Sequence, residues 1–239
     1  MLCESGGGRY MIEILFENED ILAVNKPEGL ASIRERQHPN PRESLFEMLC
    51  AQRGERLYVV HRIDKDTSGL LVVAKSDAAH EGLAKQFADH SIERAYLALV
   101  GGHPAPREGT IRGRIGRSDA NRKKMAVLAA TSNRGKHATT HYKTLKTMPD
   151  CTLVECRLET GRTHQVRVHL ASIGHALLGD PAYGRTNPRL RPILRKIGFD
   201  RQALHAAVLG FIHPVSGEKM RFESQLPADM RELIDETAH

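Results

Sequence analysis

Hydrophobic and polar positions along this chain alternate in short runs, and a period of two sends successive side chains to opposite faces of a strand. Such runs occupy 12–16, 21–24, 57–60, 70–74, 96–100, 139–145, 152–158 and 220–223, and each predicts a strand. Helical patterns are fewer. One begins at Ser76 as N-cap, carries Leu83 and Phe87 one turn apart and stops near His90. Another follows Pro41, with Leu45, Met48, Leu49 and Gln52 on one side and Gly54 as its stop. A third, short helix runs from Thr163 as N-cap through Val166 and Leu170 to Gly174 as C-cap. Many strands joined by turns, with a few helices between, predict an α+β fold: one domain around a mixed, largely antiparallel β-sheet. Its expected span is 12–228, with 1–11 a disordered lead-in and 229–239 a C-terminal tail.

The 239 residues suffice for a sizeable core, and 40% apolar with 27% charged residues excludes a disordered chain. The longest near-continuous apolar run, 206–212, falls far short of the roughly 18 residues a membrane-spanning helix needs. No membrane partner is expected. The opening MLCESGGGRYM lacks both a basic start and an apolar stretch, so no secretory signal is predicted and the expected location is cytoplasmic. Cys3, Cys50, Cys151 and Cys156 show no Cys-x-x-Cys spacing and read as reduced, mostly structural residues. Alternation sends Cys151 and Cys156 to opposite faces of one strand, and zinc is not expected.

Charge gives the first functional hint. Residues 107–146 hold eleven Lys or Arg against two acids, Glu108 and Asp119, while the rest of the chain is net acidic. A second basic cluster lies at 185–201, opposed only by Asp200. Concentrated basic surface attracts polyanions by steering and counterion release, so nucleic acid leads as a partner class, with a merely solvated face as the bland reading. No phosphate-binding Gly loop of a nucleotide fold is present.

Two segments can carry chemistry. Between the apolar runs LYVV and LLVVAK lies His61-Arg62-Ile63-Asp64-Lys65-Asp66-Thr67-Ser68-Gly69, a loop tip on which a carboxylate and cations can be placed rigidly. Asp64 and Asp66 invite a paired-carboxylate reading, but Arg62 and Lys65 favour the ionised form of both, which suits a nucleophile better than a neutral acid. The second segment is Thr160-Gly161-Arg162-Thr163-His164-Gln165-Val166-Arg167-Val168-His169-Leu170. In a helix His164 and His169 stand about 140° apart, which disfavours a shared metal. Arg162 and Arg167 sit where a strand ends and a helix starts, a place suited to an anion or a carboxylate. Tyr96 lies in the strand pattern RAYLALV, facing away from Leu97 and Leu99.

HRIDKDTSGLLVVAKS and TGRTHQVRVHLASIGHALLGDPAYG resemble the two signatures of the RluA-type pseudouridine synthases. ILAVNKPEGL at 21–30, RAYLALVGG at 94–102, NRKKMAV at 121–127 and ALHAAVLGFIHPVSGE at 203–218 follow in the family's order. The resemblance implies a single catalytic domain with a central RNA-binding cleft, an enzyme that isomerises selected uridines of structured ribosomal or transfer RNA to pseudouridine, and no cofactor or metal. Asp64 would be the essential carboxylate, acting as nucleophile toward the sugar or as the base that opens a glycal path. Arg167 would pair with Asp64 and keep it ionised. Tyr96 would stack on the uracil, and Leu204 would line its pocket. Arg62 would enter the space left by the extruded base. His61, Thr67, Arg122, Lys123, Lys124 and Arg162 would contact RNA.

Departures from the family pattern are small: Ile63, Arg94 and Val166 replace residues of like size or charge. The catalytic pattern starts at about residue 12 with no small RNA-binding domain before it, so RNA affinity is expected from the catalytic domain itself, as a monomer. Residues 31–44 follow no pattern that assigns them a role. The alternatives are a catalytically silent RNA-binding protein of the same fold, against which intact Asp64, Tyr96 and Arg167 argue, and a carboxylate-dependent glycosidase, for which no well-placed neutral acid is evident.

Overall fold

A computed structural model describes residues 2–4, 10–34, 43–184 and 187–238. Along the chain they form β1 (Leu2–Glu4), β2 (Met11–Glu17), β3 (Ile21–Lys26), α1 (Leu45–Arg53), β4 (Tyr58–Val59), β5 (Ser68–Ala74), α2 (Asp77–Ala88) and β6 (Glu93–Gly101). There follow β7 (Glu108–Arg117), β8 (Met125–Leu128), β9 (Lys136–Thr147), β10 (Cys151–Leu158), α3 (Gln165–Ser172), α4 (Arg191–Lys196), β11 (Leu204–Ile212), β12 (Lys219–Glu223) and α5 (Ala228–Thr237). The α+β reading holds. None of these helices is long and apolar enough to cross a membrane.

Two compact units emerge, Met1–Arg94 with Ala206–Gln225, and Ala95–His205 with Leu226–His239. In the first, the strand order is β1-β2-β3-β5-β11, with β4 on β5 and β12 on β11. The β1–β2, β2–β3, β3–β5, β4–β5 and β11–β12 pairs are antiparallel. Its core joins alternate residues of β5, Leu70, Val72 and Ala74, to Ile21, Leu209 and Phe211 and to Ala79 and Leu83 of α2. Ser76 caps α2 by accepting from the Ala79 N–H. Ser44 and Glu47 close a capping box on α1, which ends at left-handed Gly54. Gly69 sits at φ +114°, and a Cβ there would lie 2.3 Å from the Ala206 carbonyl oxygen, so β5 and β11 approach only because this position is glycine.

In the second unit the order is β6-β10-β9-β7-β8, with antiparallel pairing of β6, β9 and β10 and of β7 with both β8 and β9. Both faces of the β6–β10 pair are covered. One packs Ala98, Val100, Val154 and Cys156 against Val166 and Leu170 of α3. The other packs Leu99 and Cys151 against Leu190 and Leu194 near and on α4 and Met230, Leu233 and Ile234 of α5. Cys151 and Cys156 thus lie on opposite faces, and both are free, as is Cys50.

Several expectations are corrected. Leu2–Glu4, read as disordered lead-in, pairs with β2. The predicted tail is helix α5, whose Met230, Leu233, Ile234 and Thr237 recur at helical spacing and are buried. Strands β7, β8 and β11 and helix α4 had no predicted counterpart. The N-cap of α3 is His164, not Thr163. The glycine-rich 5–9, residues 35–42 of the unassigned stretch and Arg185 lie outside the described residues.

Because Leu233 is fully buried between α5 and the core, Leu233→Ala should cost about 3 kcal/mol. A thermal melt should fall by roughly 6–12 °C; an unchanged melt would mean that the segment is the dispensable tail first expected.

Candidate active site

The loop between β4 and β5 is pinned on either side of Asp64. Before it, the Ser32 hydroxyl donates to the Ile63 carbonyl at 2.8 Å and accepts from the Ile63 N–H at 3.3 Å. After it, the fully buried Lys26 ammonium donates to the Lys65 carbonyl at 2.8 Å and also to Pro27 and Leu30 carbonyls at 2.7 and 2.8 Å. The Thr67 N–H closes the turn on the Asp64 carbonyl at 3.1 Å. Three anchors within five residues leave the Asp64 backbone little freedom. Neither Lys26 nor Ser32 was foreseen, because their partners lie 39 and 31 residues away.

His61 and Thr67, predicted RNA contacts, have structural placements. The His61 ring stacks on Phe87 at 4.5 Å, and its Nε2 accepts from the Val72 N–H at 3.0 Å, so the proton resides on Nδ1. Burial, then the nearby Arg94 charge, pushes its pKa down to about 3. Thr67 is buried. Arg62, between His61 and buried Ile63, is exposed.

In the second unit Tyr96 is half-buried and packs on the cluster that contains Leu204, Val166 and Leu170, so the residues predicted to stack on and line a uracil share one face. Arg167 is buried on α3 and pairs with Asp180, a partner the sequence did not suggest. Its Nε and Nη2 donate to Asp180 at 2.7 and 2.9 Å. Burial would raise the Asp180 carboxyl, but Arg167 and the N–H groups of Tyr183 and Ala182 outweigh it and hold it below the ordinary carboxylate value. Gln165 ties the start of α3 to β9: its amide donates to the Thr139 carbonyl and Thr140 hydroxyl and accepts from Thr160 and the Arg162 N–H. Arg162 Nε donates to the His137 carbonyl at 3.0 Å. His169 stands 2.9 Å from the Thr140 hydroxyl, and burial pushes its pKa down to about 4. Among the described residues no group of three or more His, Cys, Asp or Glu could hold a metal ion.

The basic stretch 107–146 divides by strand alternation. Register places Arg112, Arg114, His141, Lys143 and Arg157 on one face of β7, β9 and β10 together with Glu108 and Glu155, whereas Ile111, Tyr142, Cys156 and Tyr96 share the other, which α3 covers. At the β7–β8 turn Arg122 and Lys123 are exposed, while Lys124 Nζ is taken by the Ala182 carbonyl.

Residues 20–172 match the family model described as RNA pseudouridylate synthase. The chain belongs to that family. A ribosomal large subunit pseudouridine synthase D of Zymomonas mobilis is 51% identical over 235 residues, covering 93% of this chain and 72% of the relative. An uncharacterized RNA pseudouridine synthase of Bacillus subtilis is 46% identical, covering 94% and 72%. Among solved structures, human RNA pseudouridylate synthase domain containing 4 gives a TM-score of 0.74 at 25% identity, covering 94% of this chain and 92% of that one; human domain containing 1 gives 0.72 at 27%, covering 90% and 83%. As a member of the pseudouridine synthases the chain is an isomerase, and the pinned Asp64 loop lies inside the matched span.

Two outcomes follow from the anchors and the buried imidazoles. Lys26→Met keeps length but leaves three carbonyls without their charged donor, and should destabilise the fold by about 2–4 kcal/mol in urea titration. His61 and His169 have folded-state pKa values below the ordinary 6.5, so the unfolded chain protonates first as pH falls. Their contribution is complete above pH 6.5 and lost from there down toward about 4 and about 3. His169→Gln should therefore flatten the decline of urea stability between pH 6.5 and 4; an equal slope in both proteins would refute this origin.

Proposed function

We propose that the protein isomerises a uridine in ribosomal RNA to pseudouridine, with Asp64 as the essential carboxylate. The observation that carries this reading is the triple anchoring of the Asp64 backbone by Ser32, Lys26 and the Thr67 turn, which fixes one carboxylate at a loop tip as covalent or base chemistry on a sugar requires. The names of the relatives favour the large ribosomal subunit as the source of the substrate.

The reaction moves one bond and changes no composition. The N1–C1′ bond of uridine breaks as the Asp64 carboxylate attacks C1′ or removes a sugar proton; the freed uracil turns, C5 bonds to C1′ as the carboxylate is displaced or the sugar takes its proton back, the C5 proton leaves to solvent and N1 takes one up. Arg167 supplies positive charge to the reaction. Tyr96 stacks on the uracil beside Leu204, a sounder role than proton removal, since a phenol of pKa about 10 is a weak base at neutral pH. The base is reached only after extrusion from its stack, which costs a few kcal/mol. Exposed Arg62 fills the vacated space, its planar cation stacking on the neighbouring bases. Arg122 and Lys123 grip phosphate at the β7–β8 turn.

Tritium release from RNA labelled at uracil C5 tests this reading. Asp64→Asn should release none while binding RNA normally, and release at the parental rate would exclude the carboxylate's role. Arg62→Ala should bind within about threefold yet turn over at least tenfold more slowly, because extrusion loses its wedge. Raising salt from 50 to 200 mM should weaken RNA binding by at least about tenfold; a flat response would remove the phosphate grip.

A further inference from the structure

Two of the groups that surround Arg167 come from one tight turn, residues 180–184. Asp180 takes the Nε and Nη2 hydrogens of Arg167 at 2.7 and 2.9 Å, and its side chain is fully buried. Its Oδ1 also accepts from the N–H groups of Ala182 and Tyr183 at 2.8 and 3.1 Å, and the Gly184 N–H closes the turn on the Asp180 carbonyl at 3.0 Å. The Tyr183 ring stands 5.1 Å from the guanidinium carbon of Arg167. Its hydroxyl accepts from the Met125 N–H at 2.9 Å and is hydrogen-bonded to His164 Nδ1 at 2.8 Å. One residue away, Lys124 Nζ donates to the Ala182 carbonyl at 2.5 Å.

We propose that Asp180 and Tyr183 are positioning residues for Arg167, and that Tyr183 ties this cradle to the basic β7–β8 hairpin so that phosphate gripped there is held in register with the arginine. A bidentate carboxylate fixes the guanidinium plane, and an aromatic face restricts the motion the two bonds allow. Pairing through Nε and Nη2 turns the Nη1 end of the fork away from Asp180. His164 supports the assignment: it is a non-glycine residue at φ +56°, a strained conformation retained where it brings Nδ1 to the Tyr183 hydroxyl. The proposal rests on the reading in which Arg167 serves the isomerisation.

Single-turnover isomerisation, RNA binding and thermal melts on Tyr183→Phe, Asp180→Asn and Arg167→Lys test it. Tyr183→Phe keeps the ring and the net charge, so its fold is expected to persist. Its rate should fall about tenfold with RNA affinity within twofold, as a misplaced catalytic group predicts. Asp180→Asn should lose about a hundredfold in rate without weakening RNA binding; if it does not fold, Tyr183→Phe decides alone. Parental rate in Tyr183→Phe overturns the proposal, whereas Arg167→Lys with parental rate overturns the underlying role of Arg167 instead.

Discussion

Lys26 carries a full positive charge into a place from which water is excluded, and the backbone around Asp64 is arranged to satisfy it. An ammonium taken out of water costs several kcal/mol unless every hydrogen finds an acceptor. Here the acceptors are carbonyls from its own following turn, Pro27 and Leu30, and from Lys65 of a loop far along the chain. The charge therefore folds two segments onto one point. Ser32, just beyond the first segment, adds both of its bonds to Ile63. The residue between Ile63 and Lys65 is Asp64, so the placement of the proposed reacting group is set by a cation that itself touches no substrate.

Arg167 is a second buried cation under the same constraint. A buried guanidinium without a carboxylate would be strongly unfavourable, and Asp180 supplies one in a two-bond geometry. Asp180 is in turn stabilised by two backbone N–H groups of the turn it begins. An ion pair of this kind contributes more to orientation than to stability, because desolvation offsets most of its attraction. The unexpected start of α3 at His164 belongs to the same arrangement. A helix capped by Thr163 would have been locally more comfortable, and the strain at φ +56° is balanced by the bond from Tyr183.

What the sequence made legible was what depends on neighbours. Eight strands announced by alternation are present within a few residues of their predicted limits, and Ser76, Gly54 and the α1 pattern mark helices for the local reasons expected. What was missed depends on distant partners. β7 reads as EGTIRGRIGR, with Ile111 and Ile115 as its only large apolar residues; its glycines are accommodated because Tyr142 and Val127 from neighbouring strands occupy the space a Cβ would need. α5 buries three large apolar residues against α4 and β6, a stripe too sparse to be recognised without them. Asp64, Tyr96 and Arg167 were visible through the family signatures, whereas Lys26, Ser32, Asp180 and Tyr183 act through bonds that no local pattern encodes.

The basic stretch shows how far a charge count can mislead about where cations gather. Eleven cations between 107 and 146 suggested one gripping surface. Strand alternation sends Arg112, Arg114 and Lys143 to the face opposite Tyr96, where Glu108 and Glu155 share the surface and His141 pairs with Glu159 at 2.6 Å. Mixed charge on that face leaves a weak field at distances beyond a Debye length of about 8 Å. Arg114 is further committed to the Arg134 and Gly135 carbonyls. The hairpin tip is different: Arg122 and Lys123 extend from a turn whose next residues, Lys124 and Met125, are fastened to the turn that cradles Arg167. Two cations on a fastened tip can set the register of a bound strand more closely than many scattered over a mixed face, because phosphate contacts fix position only when their own mounting is fixed.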